Sequence, residues 1–225
     1  MKYNKLLSIL FTVSFVFTLL LTTVSFYSFN NNFYESEFSK LNTATRLKTN
    51  NKDLFSFTKI LLDYTSGSSD SMVAYATIDN QEREVWTEQE YLHMKDVRDL
   101  YLNSIIFRNV MAFIMVLSLG LFLIFYRNQA SVFFKVSLKT MLYLFSAFFA
   151  LAFYIVLDFN AFWTNFHQVF FDNDLWLFDP NNSILVNLVN EQFFFDLVTR
   201  IVVTLLIIII IYLLVAKKYS KEVKK

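Results

Sequence analysis

Apolar residues are distributed along this chain in two ways. Four windows, residues 6–28, 109–126, 136–157 and 193–216, are almost continuously apolar. Each approaches or exceeds the roughly 20 residues that carry a helix across a bilayer. The first is too long for a secretory h-region and no small-x-small cleavage site follows it, so it is expected to remain as an anchor. Between the windows, apolar and polar residues alternate with shorter periods. Over residues 53–64, Leu54, Phe57, Leu61 and Tyr64 recur as a helical stripe that Ser66-Gly67-Ser68-Ser69 ends. Residues 72–78 are β-prone, and Asp79-Asn80 is placed to turn them back toward Val85-Trp86 as a small hairpin. Thr87-x-x-Glu90 is a capping-box pattern, with Glu88 and Glu90 at the positive end of the helix dipole. The helix it starts carries His93, Asp96, Val97 and Leu100 toward the second window.

The segment 161–171 is the most unusual. It combines Phe162, Trp163, Phe166, Phe170 and Phe171 with His167. As a helix it places Trp163, Phe166, His167, Phe170 and Phe171 on one face, a stripe suited to a membrane interface. Asp172-Asn173-Asp174 breaks it, Trp176 follows in a further apolar stretch, and Asp179-Pro180-Asn181-Asn182 is a turn signal.

Charge orients the windows. Lys2, Lys5, Arg127, Lys135, Lys139, Lys217, Lys218, Lys221, Lys224 and Lys225 flank one side, which carries a single acid, Glu222. The remaining acids fall in or beside the two other connections, and residues 141–199 contain no Lys or Arg. Basic loops stay in the cytoplasm. The expected architecture is therefore an all-α integral membrane protein with four transmembrane helices, both termini cytoplasmic, and a mainly helical extracellular cap. It forms one membrane domain: spans 6–28, 108–126, 136–157 and 193–216, cap segments 29–107 and 158–192, an inner loop 127–135 and a cytoplasmic tail 217–225.

Composition narrows the chemistry. With no Cys there is neither a thiol nucleophile nor a Cys-ligated metal, and two Gly cannot build a phosphate-cradling loop or a nucleophile elbow. No basic, aromatic-interleaved patch suggests nucleic acid as a partner. Two His and several carboxylates include metal-ligand types, but no HExxH-like spacing accompanies them, and neither metal nor cofactor is expected. The only two His, His93 and His167, both lie near a membrane boundary on the outer side. Their ordinary pKa suits proton transfer near neutral pH. The plainer reading is two unrelated His, one exposed and one packed among aromatics. Asp96, at i+3 from His93, is placed to accept from its ring and fix the tautomer, or to be an ordinary solvated residue. Asp172, Asn173 and Asp174 follow His167 as a polar island. Arg200, inside the last window, is either a functional charge at membrane depth, suited to stabilise an oxyanion, or a snorkelling side chain.

At these residues the chain resembles a known family. His93-Met94-Lys95-Asp96-Val97 is similar to an H-M-x-D-V signature, and residues 166–171 to an F-H-x-x-F-F signature. Residues 173–180 and 191–194 continue the pattern. The family is the bacterial lipoprotein intramolecular transacylases. The pattern usually has Asp where Ser183 stands and Pro where Asn190 stands.

The resemblance implies a cell-membrane, multi-pass enzyme with its catalytic face outside. Such enzymes move the sn-2 acyl chain of a diacylglyceryl lipoprotein to the α-amino group of its N-terminal Cys, giving the lyso-form. It also implies lipoprotein and membrane lipid as partners and His93 and His167 as catalytic residues. Trp163, Phe166, Phe170, Phe171 and Trp176 are the expected substrate pocket. Two other readings share these residues: a membrane lipid hydrolase or intermolecular acyltransferase, and a non-enzymatic protein that binds lipid or a partner.

Overall fold

The computed structural model describes residues 2–221; Glu222, Lys224 and Lys225 of the expected tail lie outside them. The elements are α1 (Lys2–Ser28), α2 (Asn31–Lys40), α3 (Thr43–Arg46), α4 (Asn51–Thr65), β1 (Tyr75–Ile78), β2 (Gln81–Glu84), α5 (Glu88–Phe125), α6 (Ala130–Leu157), α7 (Phe159–Phe170), α8 (Ile184–Leu188) and α9 (Glu191–Ser220). Four helical stretches are long and apolar enough to cross a membrane: α1, α5, α9, and α6 with the 3-10 turn Arg127–Gln129 before it. The described residues group into two compact units. One comprises the described parts of residues 1–26, 105–158 and 199–225; the other comprises 27–104 and 159–198.

In the first unit a polar ladder joins α1 to α6. Asn4 Nδ2 donates to the Gln129 carbonyl (3.2 Å), Ser8 Oγ to the Phe133 carbonyl (2.6 Å), and the Thr12 and Ser137 hydroxyls pair at 2.6 Å. Both partners advance by four residues at each rung, so the two helices run parallel. Small side chains allow this close approach, and the hydrogen bonds hold it where water is absent. Val16 and Met141 continue the rungs as an apolar cluster with Ile209 of α9, and the Ser137 hydroxyl also bonds the Tyr212 hydroxyl. The expected inner loop 127–135 is shorter in the fold, because α6 begins at Ala130. Phe133, 1% exposed, stacks on Phe122 at 4.0 Å. Lys135 thus lies within α6, and Arg127 in the 3-10 turn before it.

In the second unit, local signals account for most boundaries. Asn50 caps α4 by accepting from the Asp53 N–H (2.9 Å). Gly67, at φ +80°, ends that helix in the left-handed region. The hairpin pairs Tyr75 with Glu84 and Ile78 with Gln81, so its second strand is residues 81–84 and not 85–86. Its two-residue turn has positive φ at Asp79 (54°) and Asn80 (62°), the geometry that matches strand twist. The Thr77 N–H donates to the Asp53 carboxylate (3.0 Å) and docks the hairpin on α4. The capped helix and the second span are one continuous helix of 38 residues, α5. Sequence periodicity did not mark α2, which packs Phe33, Tyr34 and Phe38 around Phe193 at the start of α9.

Candidate active site

Both His lie in the second unit. His93 is in the second turn of α5 and His167 in the last turn of α7. Each is 6% exposed. Their rings lie 5.9 Å apart, tilted by 28°. Phe171 contacts both, at 5.3 Å from His93 and 5.6 Å from His167. Phe178 meets His93 edge-on at 5.4 Å, Trp176 stacks on His167 at 4.8 Å, and Trp163 meets His167 edge-on at 4.8 Å. The result is an imidazole pair walled by aromatic rings.

Hydrogen bonding distinguishes the two. His167 Nδ1 lies 2.7 Å from the Trp163 carbonyl oxygen, one turn back on α7. A carbonyl only accepts, so Nδ1 carries the proton and Nε2 presents a lone pair. His93 Nδ1 is buried without a hydrogen-bond partner. An orphaned N–H costs more than an orphaned lone pair, which places the His93 proton on Nε2. Burial pushes His93 down to about 4, the nearby His167 pushes the same way, and Asp96 opposes them. Burial also lowers His167, against the raising effect of the Trp163 carbonyl. Both rings are therefore neutral at pH 7.

The segment after α7 is held over the pair from one helix. Gln89 Nε2 donates to the Leu175 and Leu177 carbonyls (3.0 and 3.1 Å), on either side of Trp176. Asn173 Nδ2 donates to the Asp96 carboxylate (2.9 Å). Glu90, fully buried, accepts from the Ser183 hydroxyl and the Leu185 N–H, both at 2.7 Å. An open cleft of about 520 Å³ adjoins the pair and shares its Phe171 and Trp176 walls. Thr164, Gln168, Asp172, Asn173, Asp174 and Leu177 complete the cleft.

Comparisons with known proteins decide what this arrangement belongs to. The family model for the lipoprotein intramolecular transacylase Lit matches residues 9–194. The chain belongs to the Lit family. The fold is similar to the in meso structure of the membrane-integral Lit from Bacillus cereus, with a TM-score of 0.79 at 17% identity over 96% of this chain and 95% of that one. Two variants of that enzyme, with a histidine changed to Ala or Arg, match with TM-scores of 0.73 at 17% identity over 96% of this chain and 93% or 91% of theirs. Comparison with curated protein sequences finds no match. The chain is thus an integral membrane acyltransferase, a lipoprotein intramolecular transacylase.

Against that identity the expected site residues separate. His93, His167, Trp163, Phe166, Phe171 and Trp176 come together. Phe170 meets Phe166 at 4.8 Å with the rings tilted by 45°, but it is 51% exposed and meets neither imidazole in the described ring contacts. Asp96 is engaged by Asn173, while His93 Nδ1 stays unpartnered, so the expected Asp–His bond is not formed. Asp172, Asn173 and Asp174 line the cleft instead of the ring pair. Arg200 is exposed on α9 in the first unit, and Asp196, one turn earlier, pairs with Lys40. Among the described residues no three His, Asp or Glu side chains converge as a metal site.

Two departures from the Lit pattern have local reasons. The Ser183 hydroxyl donates to Glu90 and accepts from the Val186 N–H (3.2 Å), a double role an ionised Asp cannot fill. The Asn190 side chain accepts from the Phe193 N–H (3.1 Å) and caps α9. Sequence reasoning missed Gln89, Phe178 and the second task of Glu90. The capping box signalled one of its oxygens and nothing signalled the other.

Proposed function

We propose that this enzyme moves the sn-2 acyl chain of a diacylglyceryl lipoprotein onto the α-amino group of its N-terminal Cys, with His167 as base and His93 as hydrogen-bond donor. The observation that carries the assignment is the 2.7 Å contact between His167 Nδ1 and the Trp163 carbonyl, which leaves Nε2 free to accept. The substrate α-ammonium has a pKa of about 7.7–8.0, so near neutral pH a fraction of it has released one proton to solvent and stands as the free amine. The free amine attacks the ester carbonyl carbon. Its C–O double bond opens to a tetrahedral oxyanion, toward which His93 Nε2–H donates. His167 Nε2 takes the proton that the attacking nitrogen sheds, and as the intermediate collapses the bond to the glyceryl oxygen breaks and the His167 imidazolium gives that proton to the oxygen. The acyl group stays on nitrogen, no water is consumed, and no enzyme nucleophile is required.

Burial serves this scheme in two ways. Neutral His93 is a hydrogen-bond donor without charge, and the aromatic walls keep water from competing with the amine. Proximity of amine and ester on one lipid head contributes several kcal/mol in reactions of this type. The basic residues beside one end of each span support an outward-facing site, with both termini in the cytoplasm.

The test is the N-terminal lipopeptide of a reporter lipoprotein, fragmented in a mass spectrometer, from a host lacking other N-acylation enzymes. An N-acyl, S-monoacylglyceryl Cys that disappears in His93→Ala and His167→Ala at normal expression supports the reading. An unshifted diacylglyceryl Cys from well-expressed enzyme refutes it, and loss of one acyl chain from the intact mass reassigns the chemistry to hydrolysis.

A further inference from the structure

Glu90 is fully buried, and among the described residues no cation lies within ion-pair distance of it. Donors alone satisfy it. One oxygen accepts from the Thr87 N–H (2.8 Å) and hydroxyl (2.9 Å), the other from the Ser183 hydroxyl and the Leu185 N–H, both at 2.7 Å. Four donors on two oxygens suit an acceptor-only carboxylate. A capping box uses one side of such a carboxylate. Here the other side fastens a segment more than ninety residues away in sequence. That segment carries Trp176 and Phe178, the rings that cover His167 and His93. Glu90 stands one helical turn before His93, so the anchor and the imidazole share one rigid element.

We infer that Glu90 is a positioning residue for the transacylation, fastening the 175–185 segment so that its aromatic rings keep water off the two imidazoles. The inference rests on the two-His reading. Gln89, holding Leu175 and Leu177, fastens the same strap at other points, and Asp96 holds Asn173 just before it. Glu90 is the buried anchor among the three, and its role exceeds helix capping because half of its bonds leave the helix.

A pH profile separates this role from a merely structural one. The ionisable groups of the elements packed around the pair are the partner imidazole, Asp96 and Glu90 on α5, and, in the adjoining cleft, Asp172 and Asp174. Glu90→Gln removes a negative charge, which by itself lowers the imidazole pKa values. It also turns an amide NH2 toward at least one backbone N–H, of Thr87 or of Leu185, whichever way the amide lies. That frees the strap and readmits water, which raises the imidazole pKa values toward the ordinary 6.5. The two effects have opposite signs.

The experiment measures kcat and KM from pH 4 to 8.5 for the full-length enzyme in liposomes, on a synthetic diacylglyceryl-Cys lipopeptide. For Glu90→Gln we expect kcat to fall roughly 10- to 100-fold with little change in KM. The acid limb of kcat/KM moves to higher pH, and Glu90→Asp recovers part of both. Ser183→Ala, which removes one of four donors, shifts the limb in the same direction by less. Wild-type kcat and an unmoved or lowered acid limb in folded Glu90→Gln overturn the inference. If Glu90→Gln does not fold, an unmoved limb in Ser183→Ala overturns it. Full activity in His93→Ala or His167→Ala brings down the two-His reading instead, whatever Glu90→Gln does.

Discussion

Removing the His93 imidazole should strengthen the fold while destroying the activity. His93 Nδ1 is a buried polar atom without a partner, and the ring is held neutral, its pKa displaced from 6.5 to about 4. At about 1.4 kcal/mol per pH unit the displacement is worth about 3 kcal/mol of differential interaction. The sign follows from proton counting. Between pH 6.5 and 4 the unfolded chain binds a proton at His93 and the folded chain does not, so acidification favours unfolding through that window. Above the window the term vanishes; below it the loss is complete. His93→Leu, similar in volume and apolar, deletes the proton-linked term and the orphaned nitrogen together. At pH 7.5 the variant should be more stable by ~1 kcal/mol, the cost of one unsatisfied buried group. At pH 4.5 the advantage should grow to several kcal/mol. The assay is thermal or denaturant unfolding in detergent micelles from pH 4 to 8, reading the difference between variant and wild type so that the acidic groups common to both cancel. Parallel pH dependences for the two proteins would refute the reasoning, because the burial argument requires them to diverge below about pH 6.5.

Other expectations follow from single contacts. Trp176→Ala removes the ring stacked on His167; water should then compete with the amine, so free fatty acid and de-acylated lipopeptide should appear beside the N-acyl product in chromatographic product analysis. Ser137→Ala removes the bonds to Thr12 and Tyr212 and should lower unfolding free energy by about 1 kcal/mol, the scale of hydrogen bonds between membrane helices, with kcat unchanged. Gly67→Ala places a Cβ at φ +80° and 3.0 Å from Leu102 Cδ2; a loss of about 1 kcal/mol or more in the same unfolding assay is expected. Asn80→Gly relieves a positive φ of 62° in the hairpin turn and should slow local amide exchange at residues 75–84.

What the sequence determined by itself is whatever short-range physics controls. The long apolar windows became long helices because an unpaired backbone is intolerable in hydrocarbon. Thr87-x-x-Glu90 started α5, and Asp79-Asn80 turned the hairpin, because caps and tight turns depend on a few adjacent side chains. The aromatic stripe on residues 161–171 became α7, with His167 on its buried side. The family signatures rest on these same local strings.

Tertiary structure decided the relations between distant residues. It took Asp96 away from His93 and gave it to Asn173, since both are reachable and only packing chooses. It turned Phe170 outward one residue before burying Phe171. It gave Glu90 a second pair of donors from residues 183 and 185, and it matched Asn4, Ser8 and Thr12 of α1 rung by rung to residue 129, just before α6, and residues 133 and 137 within it. A single polar residue in a sequence shows what it can donate or accept. Which partner it meets is set by the approach of two elements, and that depends on the packing of the many apolar side chains around them.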